Sequence, residues 1–313
     1  MKKIRRSILE LSIIAIKWGE TKNMYYDEFM NVALEEAKLS LKEGNNGFGA
    51  VIIKGNSVLV SIHDKEETES DPTSHAELNA IRIASQKYGR NLEDCVLIST
   101  HEPCPMCATA IVWSGIKTIV YGYSIAEAIA EGRKRINLTC KELFEKANAN
   151  IIVQEGVMHD QCSLLYRKDV RGEIKKLRGA KKEDLESLQN HLFCKRIEWY
   201  KKNQAQLGIN NQDLVLNGYE LLLKKLEINP EEAPIVMKTK NKVVFHSKNF
   251  CPTLEACKIL GLDTRMICKN VNEKPTDALV KQLNNKLEFA RNYEKLRPYC
   301  DYCEEMVLLK EAD

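Results

Sequence analysis

Glycine and proline are scarce in this chain of 313 residues, which has 15 glycines and 8 prolines. This composition argues against a collagen-like, low-complexity or mainly disordered protein. The chain also lacks a large excess of one charge, because it has 47 Lys and Arg residues and 44 Asp and Glu residues. A net charge of +3 does not by itself indicate a nucleic-acid-binding protein. No apolar run approaches the roughly 20 residues that a membrane-spanning helix needs, so we expect a soluble, cytoplasmic protein.

The first 23 residues do not fit the patterning of the domain that follows them. Basic residues precede an apolar stretch at Ile13–Ile16, an order that imitates a signal peptide. Glu10 interrupts this region, and no small-residue cleavage pattern follows it. We therefore expect residues 1–23 to be a short N-terminal extension. The sequence leaves open whether Met1 or Met24 is the true start.

Hydrophobic patterning divides the rest of the chain into two domains. Over residues 24–180, amphipathic helical segments alternate with short β-branched strands, which predicts a layered α/β domain. Two of these strands are separated by Gly55-Asn56, a hairpin signal. Residues 184–313 predict a mainly helical accessory domain of unknown role. It contains a hairpin near 235–246, and we expect short helices over 251–313.

Two short motifs in the first domain carry the strongest chemical signal. His75 stands at the opening of one predicted helix, and Cys104 and Cys107 stand at the opening of another. Because the two cysteines are three residues apart, a helix places both sulfurs on one face. The unpaired amides of a helix N-terminus also stabilise thiolates. The sequence therefore predicts one Zn²⁺ site whose ligands are His75, Cys104 and Cys107.

The ligand count and a neighbouring carboxylate predict a catalytic metal. Structural zinc usually has four protein ligands, whereas three leave a position for water. Bound water then has a pKa of about 7. Glu77 follows His75 by two residues, so it need not bind the metal and is placed for general acid/base catalysis. The alternative is a structural zinc site or no metal, which leaves Glu77 and the missing fourth ligand unexplained.

The motifs resemble those of the cytidine/deoxycytidylate deaminase superfamily, and more closely those of guanine, cytosine and tRNA adenosine deaminases. The resemblance covers about residues 25–178. It implies a three-layer α/β/α fold around a mixed five-stranded sheet, and a homodimer. It also implies zinc-dependent hydrolytic deamination of a nucleobase or nucleoside, with Glu77 moving the protons. The stretches that carry the resemblance are Phe48-Gly49-Ala50-Val51, Asp71-Pro72-Thr73-Ser74-His75-Ala76-Glu77, Ala80-Ile81-Arg82 and Glu102-Pro103-Cys104-Pro105-Met106-Cys107.

The resemblance also implies that Phe48, Ala50, Asp64 and Trp113 contact the substrate. Many relatives have Asn in place of Asp64, and an ionised carboxylate favours a base edge that offers N–H donors. For Asp64, the alternative is an ordinary loop carboxylate. For Trp113, the alternative is a side chain that packs in the core. After Gly132, this chain has Arg133-Lys134-Arg135 where guanine deaminases have an acidic pair. That departure weakens a strict guanine interpretation and suits a substrate with a phosphate group.

Two other functions are consistent with the sequence. The basic segment from Tyr166 to Lys176 resembles the final helix that touches RNA in tRNA deaminases, where the target base must be flipped out. Deamination of adenosine to inosine in tRNA is therefore the second candidate. The third candidate is a deaminase-like scaffold without activity, which would have no need of Glu77.

Cysteines are concentrated near the end of the chain, where five of the eleven fall within the last 63 residues. One interpretation is a second metal or iron–sulfur site, although the spacing is not that of a standard ligand set. The other is a reduced, Cys-rich accessory module. The five residues are Cys251, Cys257, Cys268, Cys300 and Cys303.

Overall fold

The computed structural model describes residues 26–208 and 212–310, so the extension predicted over 1–23 lies outside the described residues. The chain divides into two compact units, the first ending at Lys168 and the second beginning at Asp169. The elements of the first unit are α1 (26–43), β1 (Gly49–Lys54), β2 (Ser57–His63), α2 (Glu66–Glu69), α3 (Ala76–Tyr88), β3 (Cys95–His101), α4 (Pro105–Ser114), β4 (Thr118–Tyr123), α5 (Ile125–Ala130), α6 (Cys140–Lys146), β5 (Ile152–Gln154) and α7 (His159–Leu164).

The strands of the first unit form one mixed sheet in the order β2-β1-β3-β4-β5. Strand β1 pairs antiparallel with β2 and β3, whereas β3, β4 and β5 run parallel. Ala50 and Ile52 join the core under α3, α4 and α6. On the opposite face, a β-carbon at Gly49 would fall 1.9 Å from the carbonyl oxygen of Ala33, so α1 packs directly on β1. The predicted three-layer α/β/α fold with a mixed five-stranded sheet is confirmed.

Two details of the first unit differ from the sequence-based expectation. Residues 64–73 are mostly polar, which predicts a loop, but they contain the short helix α2. The pattern over 157–176 predicts one helix, but this segment forms two helices, α7 and α8 (Lys168–Leu177). At the break, Tyr166 is fully buried and stacks on Phe48. The division between the compact units falls at this break, whereas the sequence places the end of the first domain at residue 180.

The second unit combines helices with a four-stranded antiparallel sheet in the order β6-β7-β9-β8. The hairpin predicted near 235–246 is present as β6 and β7. The expectation of only short helices over 251–313 is wrong, because β8 and β9 lie there. After α8, the elements are α9 (Lys182–Asn203), α10 (Leu214–Leu226), β6 (Ile235–Lys238), β7 (Lys242–Ser247), α11 (Pro252–Leu260), α12 (Thr264–Ile267), a π-helix (Cys268–Glu273), α13 (Lys274–Val280), β8 (Leu287–Arg291) and β9 (Cys303–Leu309).

Within the part of the chain that the structure describes, no helix is both long and apolar enough to span a bilayer.

Candidate metal and active site

Two helix N-termini bring the predicted ligands together. His75 is the N-cap residue of α3, and Cys104 is the N-cap residue of α4. Both have extended backbone, and neither side chain caps its own helix, so both side chains are available to the site. Cys107 follows in the first turn of α4 and is fully buried.

The distances within this cluster fit tetrahedral zinc. Nδ1 of His75 lies 3.5 Å from Sγ of Cys104 and 3.5 Å from Sγ of Cys107. With Zn–N near 2.0–2.1 Å and Zn–S near 2.3 Å, a tetrahedron separates nitrogen and sulfur by about 3.6 Å. Among residues 26–208 and 212–310, this is the one group of three or more potential metal ligands with all ligand atoms within 4.8 Å.

The three side chains influence one another's protonation. A hydrogen bond from Cys107, together with His75, lowers the pKa of Cys104 to about 4. Burial opposes protonation of His75, but Cys104, Glu77 and Glu66 outweigh it and raise its pKa to about 9. Cys104 and burial raise the pKa of Cys107 well above its ordinary value. A cation that binds all three side chains must therefore displace protons.

Glu77 lies beside the cluster without belonging to it. It sits in the first turn of α3 and is 4% exposed. Its Oε1 accepts a hydrogen bond of 3.1 Å from the hydroxyl of Ser99, and its Oε2 is 3.6 Å from Sγ of Cys107. Burial raises the pKa of Glu77 to about 7. The carboxyl group is therefore held next to the ligands and can exchange a proton near neutral pH.

Sequence reasoning missed two residues that support this arrangement. Ser99 is one, and its only signal is a polar side chain that follows four apolar residues in the same strand. Glu66 is the other: its Oε1 lies 3.4 Å from Nε2 of His75, the ring nitrogen that faces away from the sulfurs. The side-chain amide of Asn46 donates to the second oxygen of Glu66 at 2.9 Å. Nothing in the sequence distinguishes Glu66 from the other acidic residues of the segment 64–73.

Asp64 and Ala50 have structural roles in the first unit, and their contact with substrate stays a prediction. Asp64 is fully buried, and its carboxylate accepts a hydrogen bond of 2.6 Å from the hydroxyl of Ser40. It also accepts from the backbone amides of Asn46 and Phe48, each at 2.8 Å, and so fixes the turn before β1. Ala50 is fully buried within the sheet.

Phe48 and Trp113 lie in different surroundings. Phe48 is half-buried and packs edge-on against His101, with ring centroids 5.4 Å apart. Trp113 is 70% exposed, so its alternative role in core packing is wrong. At 1.5 Å per residue, Trp113 lies about 14 Å along α4 from Cys104. Contact of either residue with substrate stays a prediction.

The second metal or iron–sulfur site predicted at the five C-terminal cysteines finds no support. Within the described residues, these cysteines do not bring three ligand atoms within 4.8 Å of one another. Cys257 and Cys268 are buried in the core of the second unit. Burial raises the pKa of each to about 12.

The cluster lies in a part of the chain that is similar to known proteins. A family model described as the cytidine and deoxycytidylate deaminase zinc-binding region matches residues 24–123. A guanine deaminase from Bacillus subtilis is 37% identical over 111 residues, which cover 35% of this chain and 71% of that protein. A tRNA-specific adenosine deaminase from the same organism is 33% identical over 161 residues, covering 51% of this chain and 98% of that protein.

Solved structures also match part of this chain. One comes from biochemical and structural studies of A-to-I editing by tRNA:A34 deaminases at the wobble position of transfer RNA. It is 26% identical and covers 44% of this chain and 98% of its own, with a TM-score of 0.39.

Proposed function

Because the chain belongs to the family of cytidine and deoxycytidylate deaminases, we propose that it catalyses zinc-dependent hydrolytic deamination of a nucleobase or nucleoside. In this reaction water replaces an exocyclic amino group on an amidine carbon, which leaves a carbonyl group and ammonia. The observation that carries the proposal is the convergence of His75, Cys104 and Cys107 beside the buried carboxyl group of Glu77.

The donor set and its spacing favour Zn²⁺ as the cofactor, one ion per chain. Nδ1 of His75 and the sulfurs of Cys104 and Cys107 would hold it. The resident ion would make its coordinated water acidic enough to supply a nucleophile at neutral pH. Three protein ligands leave a coordination position for that water, whereas a structural zinc site would fill the position with a fourth side chain.

Glu77 is the residue that we propose moves the proton. Its Oε2 faces Cys107, so the carboxyl group borders the metal position without occupying it. There it can accept a proton from water and donate it to the departing amine, as general base and then general acid. Ser99 holds the other oxygen and so limits rotation of the carboxyl group. A non-catalytic scaffold would not need this arrangement.

A small substrate is the first candidate, and an anionic group on it has some support. Arg135 lies over the ring of Phe48, and Arg133 lies over the ring of Tyr166, at 5.6 Å in each case. Among the described residues, buried Nε and Nη2 of Arg133 have no hydrogen-bond partner, although Nε forms an ion pair of 3.8 Å with Glu131. Buried guanidinium donors of this kind favour a partner such as a phosphate oxygen. Nucleotides therefore belong in the substrate panel.

Deamination of adenosine in tRNA is the second candidate. The observation that favours it is the basic end of α8, where Lys175 and Lys176 follow one another in the last turn. Arg178 comes directly after this helix. Basic residues at such a helix end are the side chains that contact phosphates in nucleic-acid-binding proteins.

The proposal is tested by measuring ammonia release from guanine, adenine, cytosine, their nucleosides and nucleotides, and tRNA. We expect one class to be turned over by zinc-loaded protein. Glu77→Gln should keep its zinc and lose at least about a hundredfold in rate. Glu67→Gln, an exposed carboxylate on α2, is the matched control. A Glu77→Gln variant with full activity would contradict the proton-transfer role.

We also propose a cytoplasmic homodimer. All eleven cysteines are free thiols, which suits a reducing compartment. Trp113 and Ile136 expose large apolar side chains, surface that a second copy of the chain would cover. Light scattering on the purified protein tests the dimer: a mass of about one chain would contradict it.

A further inference from the structure

The second unit encloses a cavity of about 250 Å³ that has no part in the site described above. This volume equals about eight waters at roughly 30 Å³ each. Its walls come from helices α9, α10, α11 and α13, strands β7, β8 and β9, and the π-helix. π-Helices are rare and are frequently found at functional sites. The cavity therefore has the size and the surroundings of a site for a small ligand.

Two guanidinium groups line this cavity and are largely buried. Arg196 of α9 is 8% exposed, and the side chain of Arg291, at the end of β8, is 10% exposed. Arg291 pairs across the sheet with Glu305 of β9, and its Nε donates to Oε1 of that carboxylate at 2.9 Å. The second oxygen of Glu305 accepts a hydrogen bond of 2.6 Å from Ser247. One carboxylate thus faces two buried cations.

The two arginines of the cavity have N–H donors that are not used in hydrogen bonds. Within residues 26–208 and 212–310, Nη1 of Arg291 is buried and has no hydrogen-bond partner. The guanidinium of Arg196 donates to the hydroxyl of Thr276. This hydroxyl is neutral, so it does not balance the charge of the guanidinium. Burial and the neighbouring Arg291 lower the pKa of Arg196 to about 10, which leaves it protonated at neutral pH. A buried cation without a counter-charge is costly, so the pair favours an anion.

The rest of the lining does not supply that anion. Burial raises the pKa of Cys251, and it raises the pKa of Cys268 to about 12, so both are uncharged at neutral pH. A third guanidinium, that of Arg297, donates to the backbone carbonyls of Lys248 and Asn249. The remaining walls are largely apolar and include Leu222, Phe245, Phe289 and Leu296.

We propose that this cavity binds a small organic carboxylate, with its carboxylate group on Arg196 and Arg291 and its apolar part against Leu222 and Phe245. Arg196, Arg291 and Glu305 together leave one positive charge, which a monocarboxylate balances. The third guanidinium of the lining, that of Arg297, is held by the backbone carbonyls of Lys248 and Asn249. The apolar walls favour a ligand with a hydrocarbon body over an inorganic anion.

Calorimetric titration of the full zinc-loaded chain tests the proposal, with benzoate, hexanoate, benzamide and inorganic phosphate as probes. We expect at least one carboxylate to bind, and benzamide and phosphate to bind on the order of tenfold more weakly or not at all. Failure of both carboxylates to bind, or equal binding of benzoate and benzamide, would overturn the proposal. Tighter binding of phosphate would overturn it as well. These comparisons use the unmodified protein, so they do not depend on how a variant folds.

Two further measurements locate the binding. Arg196→Met should weaken carboxylate binding on the order of tenfold, because a hydrogen-bonded counter-charge is lost. Arg265→Met removes an exposed arginine that does not line the cavity and should change nothing. The bound carboxylate should also slow alkylation of Cys303, which lines the cavity, relative to exposed Cys194. Unchanged affinity in Arg196→Met, or equal protection of both thiols, would place the binding elsewhere.

Discussion

The hydroxyl of Ser99 donates a hydrogen bond of 3.1 Å to Oε1 of Glu77. Ser99 lies on β3 and Glu77 lies on α3, so the contact joins the sheet to the helix that carries the proposed proton carrier. The backbone amide of His101 in turn donates to the Ser99 hydroxyl at 3.4 Å. The orientation of the carboxyl group is therefore set by the central strand and not by a mobile loop.

Replacement of Ser99 by Ala should lower kcat about tenfold, because a hydrogen bond to a charged or buried acidic group is lost. The zinc content should stay the same, since Ser99 touches no ligand atom. Steady-state rates of ammonia release and metal analysis of the same sample measure both. Ser114→Ala, which removes another buried hydroxyl that bonds within α4, is the matched control. Equal rates in both variants would contradict a positioning role for Ser99.

Glu66→Gln should weaken zinc binding by about tenfold or more, because a carboxylate beside the outer nitrogen of a ligating His fixes the orientation of its ring. The two side chains are 3.4 Å apart in the structure. Competition with a chromophoric chelator gives the zinc dissociation constant without reference to activity. Glu67→Gln on the same short helix should bind zinc as the unmodified chain does. An unchanged constant for Glu66→Gln would show that Glu66 does not orient His75.

His63 should make stability depend on pH in a defined direction. Its ring nitrogens lie 2.7 Å from Glu36 and 3.0 Å from Glu43, and the hydrogen bond with Glu36 raises its pKa. A raised folded-state pKa gives stabilisation that is complete below the unfolded pKa of about 6.5 and disappears as pH rises through the folded value. His63 also lowers the pKa of Glu36, and this contribution disappears as pH falls through the lowered value.

The measurement for His63 is the free energy of unfolding of the unmodified chain and of His63→Gln. We expect the free energy of unfolding of the unmodified chain to exceed that of the variant by more at about pH 6 than at about pH 9. A difference that is constant over this range, or one that grows with pH, would contradict the assignment.

Neutralising the basic end of α8 separates the two candidate substrates. We expect the combined replacement of Lys175, Lys176 and Arg178 by Gln to leave turnover of a free base or nucleoside unchanged. If tRNA is the substrate, the variant should bind tRNA more weakly, and the salt dependence of binding should fall by about one for each lost phosphate contact. Filter binding at several salt concentrations distinguishes these results. Unchanged tRNA affinity would remove the second candidate.

The first unit could be predicted largely from the sequence because its signals are local. Short β-branched strands alternate with amphipathic helices, and the ligands stand at helix openings, where cap position and spacing decide where a side chain lies. Contacts between residues far apart in the sequence could not be predicted. The hydrogen bonds of the Asp64 carboxylate are an example. In this chain the turn at 46–48 and Ser40 satisfy this carboxylate, and no local pattern reveals that.

The second unit was harder to predict for a related reason. Strand β9 has Glu305 at a buried position that an alternating strand would fill with an apolar residue. Arg291, on the neighbouring strand, forms an ion pair with Glu305 and so balances its buried charge. A strand that buries a charged pair lacks the period-two hydrophobic pattern by which strands are identified.

Zinc analysis of the purified protein is the sharpest test of the proposed metal site, with the unmodified chain, His75→Ala and Glu77→Gln measured together. We expect one zinc per chain in the unmodified protein and in Glu77→Gln. We expect His75→Ala to lose most of the metal, because the variant lacks the only nitrogen ligand among the described residues of the cluster. An unmodified chain without zinc, or a His75→Ala variant that retains a full equivalent, would contradict the zinc site.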